Sequence, residues 1–120
     1  MRYLGLDVGT RRTGAAIADD HDGILFSLET IKHADFEILM ERVLSIIAEK
    51  KIDQVAIGLP LLLSGVEGAQ AGVVHAFAEK LATMGISYKF VDERMTTPAK
   101  PGLDKDSTAA CSILSSILKS

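Results

Sequence analysis

The stretch LGLDVGT, Leu4 to Thr10, decides how this chain is read. It begins as a short apolar run, the pattern of a strand buried on both faces. The run then ends on a carboxylate, Asp7, and turns at Gly9. Two unlike devices use an acid in that position. One holds a metal ion for cutting nucleic acid. The other is a Gly-Thr loop whose backbone N–H groups wrap the phosphates of a nucleotide.

Outward from this stretch, residues 3–8 read as the first strand and residues 14–18, small and apolar, as the second. The cluster Asp19-Asp20-His21-Asp22-Gly23 is a turn, and residues 24–31 alternate loosely as a third strand, with Leu25 and Phe26 its bulkiest members. Three strands so close together predict an antiparallel meander. The period then changes. Phe36, Met40, Val43 and Ile47 recur at three and four residues with Glu37, Glu41 and Glu49 between them, an amphipathic helix with Asp35 as N-cap. Residues 54–57 form a short strand before Gly58 and Pro60. Val73, Phe77, Leu81 and Met84 mark a second helix stopped at Gly85. A fifth strand follows over residues 86–91, and a last helix starts at an Asp104 cap, with Ala110, Ile113, Leu114, Ile117 and Leu118 on its apolar side. Antiparallel strands followed by alternating strands and helices predict an α/β fold with a mixed sheet and helices on its faces.

Composition sets bounds. The 120 residues suffice for one core, so a single domain over residues 1–120 is expected. Apolar residues at 48% argue against disorder, and a net charge of −3 gives no general pull on nucleic acid, although a local basic patch remains compatible with it. The lone cysteine, Cys111, leaves no partner within the chain for a disulfide or a cysteine metal site, and a buried, inert thiol is expected of it. No apolar stretch is long enough to span a bilayer, and Asp7 interrupts any signal-like run at the start. A soluble, cytoplasmic protein without a membrane partner is the expectation.

In such a sheet, ligands gather beyond the carboxyl ends of the parallel strands. Asp7 ends the first strand, Asp92 and Glu93 follow the fifth, and Asp106 lies at the start of the last helix. Each acid alone has an ordinary role: a turn or cap residue, a partner of the helix dipole, half of a surface ion pair with Arg94. Together at one edge they would repel one another unless a cation joined them. Oxygen ligands without His or Cys suit Mg²⁺ or Mn²⁺. Two such ions about 3.5–4 Å apart can activate water and stabilise the leaving oxygen of a phosphodiester. Arg11 and Arg12, just past the Asp7 turn, are placed to meet a phosphate backbone. Gly65 and Gly68 are a weaker anion signal. His21, His33 and His75 are scattered, and structural or surface roles are expected for them.

With these residues assembled, the sequence resembles the YqgF-type nucleases, the family of Holliday junction resolvase-like and pre-16S rRNA nucleases with an RNase H-like fold. The likeness rests on LGLDVGTRRTGAAIAD, VAIGLPLLLSGVEGAQ, FVDERMTT and DSTAACSIL. It implies a five-stranded mixed sheet, with the first three strands antiparallel and the last two parallel. It also implies a bacterial, cytoplasmic, metal-dependent nuclease of 16S rRNA 5′-end maturation, with resolution of junction DNA as the alternative; the shortened basic segment between Thr97 and Asp106 makes a catalytically weak RNA-binding assembly module a third reading. Asp7, Glu93 and Asp106 match the acids that hold Mg²⁺ or Mn²⁺ and the attacking water. Arg94, Arg11 and Arg12 match basic positions assigned to substrate phosphate, and Thr96 and Thr97 match a further motif. Precursor rRNA, junction DNA and ribosomal precursor particles are the implied partners.

Two departures stand out. The family often has a loop like PLNMDG where this chain has PLLLSG, with Leu62 and Ser64 in place of Asn and Asp. Only PAKPGLDK separates Thr97 from Asp106, where the family has a longer Lys- and Arg-rich stretch. Only Lys100 and Lys105 are basic there, which removes much of the expected electrostatic grip on nucleic acid. The nucleotide-binding reading, of the actin and sugar-kinase type, calls for a second domain closing over the phosphates, and one domain of this length lacks it.

Overall fold

The structure, a computed structural model, describes residues 1–59, 69–92, 110, 111 and 113–115. In chain order the elements are β1 (Arg2–Val8), β2 (Arg12–Asp19), β3 (Leu25–Ser27), β4 (Ile31–Lys32), α1 (Phe36–Lys50), β5 (Gln54–Leu59), α2 (Ala69–Thr83) and β6 (Tyr88–Asp92). Residues 110, 111 and 113–115 are also helical. The remainder of the expected last helix, the Asp104 cap included, lies outside the described residues, as do Gly65, Gly68, Leu62, Ser64, Thr96 and Thr97.

The strands line up as β3-β2-β1-β5-β6, with β4 also paired to β2. β1 is antiparallel to β2 and parallel to β5, and β5 is parallel to β6. The mixed sheet follows the expectation. β1 reads as continuously apolar because both its faces are covered. Leu4, Leu6 and Val8 pack with Leu39, Met40, Val43 and Ile46 of α1 and Val74, Phe77, Ala78 and Leu81 of α2. Tyr3 faces the other way, with Ala16, Ala18, Ala56, Ala110, Ile113 and Leu114. Helical residues therefore lie on both faces. Asp35 caps α1 as expected, accepting the Ile38 N–H at 3.0 Å. Gly85, past the end of α2, adopts φ 75°, a left-handed conformation that favours glycine. Cys111 is half-buried against the second cluster rather than buried as expected.

The sheet differs from the expectation at the third strand, because residues 24–31 do not form one strand. β3 and β4 are separate, and the break between them is a one-residue bulge. Ser27 pairs with Ala16 and Ile31 with Thr13, so the edge takes four steps where β2 takes three. An extra residue of this kind inverts the alternation beyond it. Without it Ile31 would face the side of Tyr3. With it Ile31 is 6% exposed and packs among the α1 and α2 side chains. Sequence alternation alone misses the bulge because burying Ile31 needs the whole sheet to be assembled. Phe26, read as one of the strand's bulkiest members, is 46% exposed on this edge.

Candidate functional site

Side chains alternate along β1, so Asp7 shares the face of Tyr3 and Gly5. On β2 its partner is Gly14. On β5 the register runs Gly5↔Ala56 and Leu6↔Ile57, which brings Gly58 next to Asp7. The residues directly beside the half-buried Asp7 on the two neighbouring strands are thus glycines. Because β1, β5 and β6 run the same way, Val8, Leu59 and Asp92 end at one edge of the sheet. β6 is two strands from β1, about 10 Å at ordinary strand spacing. Asp7 therefore stands where the sequence placed it. Glu93, Arg94 and Asp106 lie outside the described residues.

Gly5 sets how closely the last helix lies on this face. A Cβ on Gly5 would stand 2.6 Å from Leu114 Cγ and 3.0 Å from the Ala110 carbonyl oxygen. The helical residues thus rest on the bare backbone of β1, two residues below Asp7, or about 7 Å along the strand.

The turn after Asp7 is held closed by Gly9. Here a Cβ would come 2.4 Å from the carbonyl oxygen of Arg12, a backbone atom with no rotamer to yield. Gly9→Ala is expected to open the turn and cost about 1–3 kcal/mol, measured by denaturant unfolding, with cleavage falling as Arg11 and Arg12 move away from Asp7. A Gly9→Ala protein with unchanged stability would show that the turn relaxes freely.

Arg11 and Arg12 are both exposed. Arg12 lies two residues from Gly14 on β2, hence on the Asp7 face. Diagonal neighbours of this kind sit about 7–8 Å apart. The Arg11 carbonyl accepts the His33 backbone N–H at 2.9 Å. The His33 ring Nε2 is 2.9 Å from Thr13 Oγ1, with Thr13 0% and His33 5% exposed. This buried pair ties β4 to the hairpin that carries the basic residues. One signal could have found it: Thr13 falls on the inward alternation with Ala15 and Ile17, and an inward threonine needs a partner. Among the described residues the other ring nitrogen of His33, Nδ1, is buried without a hydrogen bond within 3.5 Å.

Burial lowers the His33 pKa below the usual histidine value, with Asp35 opposing the shift in part. Below about pH 6.5 the unfolded chain gains a proton at this residue that the folded chain resists. Stability conferred by neutral His33 is thus present above that pH and declines as the pH falls from there through the lower folded pKa. Melting temperatures across roughly pH 5–6.5 are expected to fall more steeply for the native protein than for His33→Gln. Parallel slopes would contradict a buried neutral imidazole.

Asp7 supplies a hard oxygen donor, the ligand type that Mg²⁺ and Mn²⁺ take. Among the described residues no group of three or more His, Cys, Asp or Glu side chains converges to hold a metal. In donor chemistry Asp7 fits such an ion, and a full ligand set requires residues beyond those described. Among the described residues no helix is long and apolar enough to cross a membrane.

Three comparisons bear on this geometry. A family profile described as "RuvX: Holliday junction resolvase" matches residues 1–120. A protein of Anaeromyxobacter sp. (strain Fw109-5), named "Putative pre-16S rRNA nuclease", is 39% identical over 98 residues, which is 81% of this chain and 72% of that protein. Among solved structures, Thermus thermophilus RuvC in complex with a Holliday junction substrate superposes with a TM-score of 0.64 at 12% identity, covering 94% of this chain and 89% of that one. At that identity the likeness is one of fold, the RuvC-like RNase H fold. A ROK family protein from Streptococcus pneumoniae TIGR4 in complex with sucrose also superposes, with a TM-score of 0.56 and 15% identity, over 78% of this chain but only 35% of that one. The shared sheet explains why LGLDVGT alone reads two ways.

Proposed function

The chain belongs to the RuvX family of Holliday junction resolvases, and on that premise we propose that it is a divalent-metal-dependent endonuclease acting on precursor rRNA. The observation that carries the reading is Asp7. It stands at the carboxyl edge of three parallel strands with glycines on both flanks and Arg12 on the same face. Residues 1–120 act in this reading as one nuclease domain working in the cytoplasm.

Asp7, Glu93 and Asp106 are the residues proposed to hold Mg²⁺ or Mn²⁺. Glu93 directly follows the last residue of β6, and Asp106 precedes the helical Ala110 by four residues. A bound divalent ion supplies activation of water and charge stabilisation at the leaving oxygen. The chain's own contribution is to fix the carboxylate on a central strand, with glycine at the paired position on each neighbouring strand. Arg11, Arg12 and Arg94 bind and orient the phosphate backbone. RNA is favoured by the curated relative at 39% identity that is named for pre-16S rRNA. Junction DNA is the second reading, favoured by the description of the matching family.

The test is incubation of the protein with precursor 16S rRNA and with junction DNA in Mg²⁺ or Mn²⁺. Metal-dependent RNA cleavage is expected. Cutting confined to junction DNA would replace the RNA reading with the resolvase one, and tight RNA binding with no turnover in either metal would leave an assembly module. Ribosomal precursor particles are the proposed source of contacts that the short basic segment does not supply.

A further inference from the structure

We propose that the nucleic-acid strand bound at Asp7 runs outward across β2 to β4, and that Lys32 is a phosphate contact on that path. The inference rests on the nuclease reading and adds a residue and a direction to it.

The bulge before β4 is the central observation. It turns Ile31 into the core and places Lys32 directly opposite Arg12. Arg12 shares the face of Gly14, which is the face of Asp7. An unbulged strand would put Lys32 on the core side instead. Bulges beside functional sites re-aim side chains in this way.

Two cations thus stand directly opposite on neighbouring strands. Both are exposed, and no ion pair engages Lys32 among the described residues. A polyanion lying across this edge would meet both charges. The backbone beneath them is also fixed. β4 is held by the His33 N–H bond to the Arg11 carbonyl and by the Thr13–His33 side-chain contact. The two charges are thus preorganised rather than carried on a loose loop.

Equilibrium binding of a short fluorescent single-stranded RNA, followed by anisotropy over a salt series, tests the path. Lys32→Gln is expected to weaken binding several-fold at low salt and to reduce the log–log salt slope by about 0.7, one phosphate contact on a single strand. Lys32→Arg should retain the slope. Lys80→Gln, an exposed lysine on α2 over the opposite face, controls for net charge and should change little. If Lys32→Gln behaves as Lys80→Gln while Arg12→Gln still weakens binding, the path is wrong and the nuclease reading stands. A slope lost equally in Lys32→Arg would also overturn the contact. A native protein that binds no RNA at all would overturn both.

Discussion

Asp7→Asn is expected to reduce the rate of metal-dependent cleavage by roughly 10²–10³-fold or more, the scale on which removal of one preorganised electrostatic group is felt at a transition state. The substitution keeps the shape of the side chain and one of its oxygens but removes the charge. Gly14 and Gly58 flank the position on the adjacent strands, so neither of these strand neighbours offers a carboxylate in its place. Folding should be little affected, because the half-buried side chain lies at the strand end rather than in either apolar cluster. Single-turnover cleavage at saturating metal, set beside a thermal melt, reads the two effects separately. A variant that cuts at the native rate would remove Asp7 from the chemistry, and with it the assignment of the sheet edge as the active site.

Gly5→Val is expected to destabilise the fold by about 3 kcal/mol, at the upper end of the cost of overpacking, and to abolish most cleavage with it. A Cβ already meets Leu114 Cγ at 2.6 Å and the Ala110 carbonyl oxygen at 3.0 Å. One of these atoms belongs to the backbone, so rotamer changes alone cannot relieve the clash, and the two γ-methyls of valine add to it. The helical residues must lift from β1. Asp106, four residues ahead of Ala110 in the sequence, is proposed to join Asp7 in holding the metal, and lifting the helix would disturb that proposed pairing. Gly5→Ala should show a smaller loss, and adding Leu114→Ala should recover part of it by removing one of the two close contacts. Urea unfolding of the three variants tests this order. If Leu114→Ala makes Gly5→Ala worse by the full cost of a core cavity, the crowding at Gly5 does not govern the packing.

Much of the architecture could be read before any coordinates. The apolar run ending at Asp7, the three- and four-residue recurrence from Phe36 to Ile47, the cap at Asp35 and the stop at Gly85 are local patterns, set by helix and strand periods over a few residues. The parallel course of β1, β5 and β6 follows from connection length, because short links return antiparallel and helical links cross over. For these reasons Asp7 could be placed at the carboxyl edge from sequence alone. Glu93 and Asp106 remain assigned by resemblance and by position in the chain.

The tertiary structure decided what depends on distant registers. Whether Lys32 faces the core or Asp7 turns on one extra residue opposite β2, and a single step of slip exchanges the faces of a strand. The Thr13–His33 pair joins residues twenty positions apart whose spacing carries no period. The need for glycine at position 5 appears only when Ala110 and Leu114 are brought against it. The sequence by itself determined the order of elements and the carboxylate at the end of β1, because those follow from short-range periodicity. The face on which each basic residue meets that carboxylate, and the closeness of the last helix to it, were decided by packing across the assembled sheet.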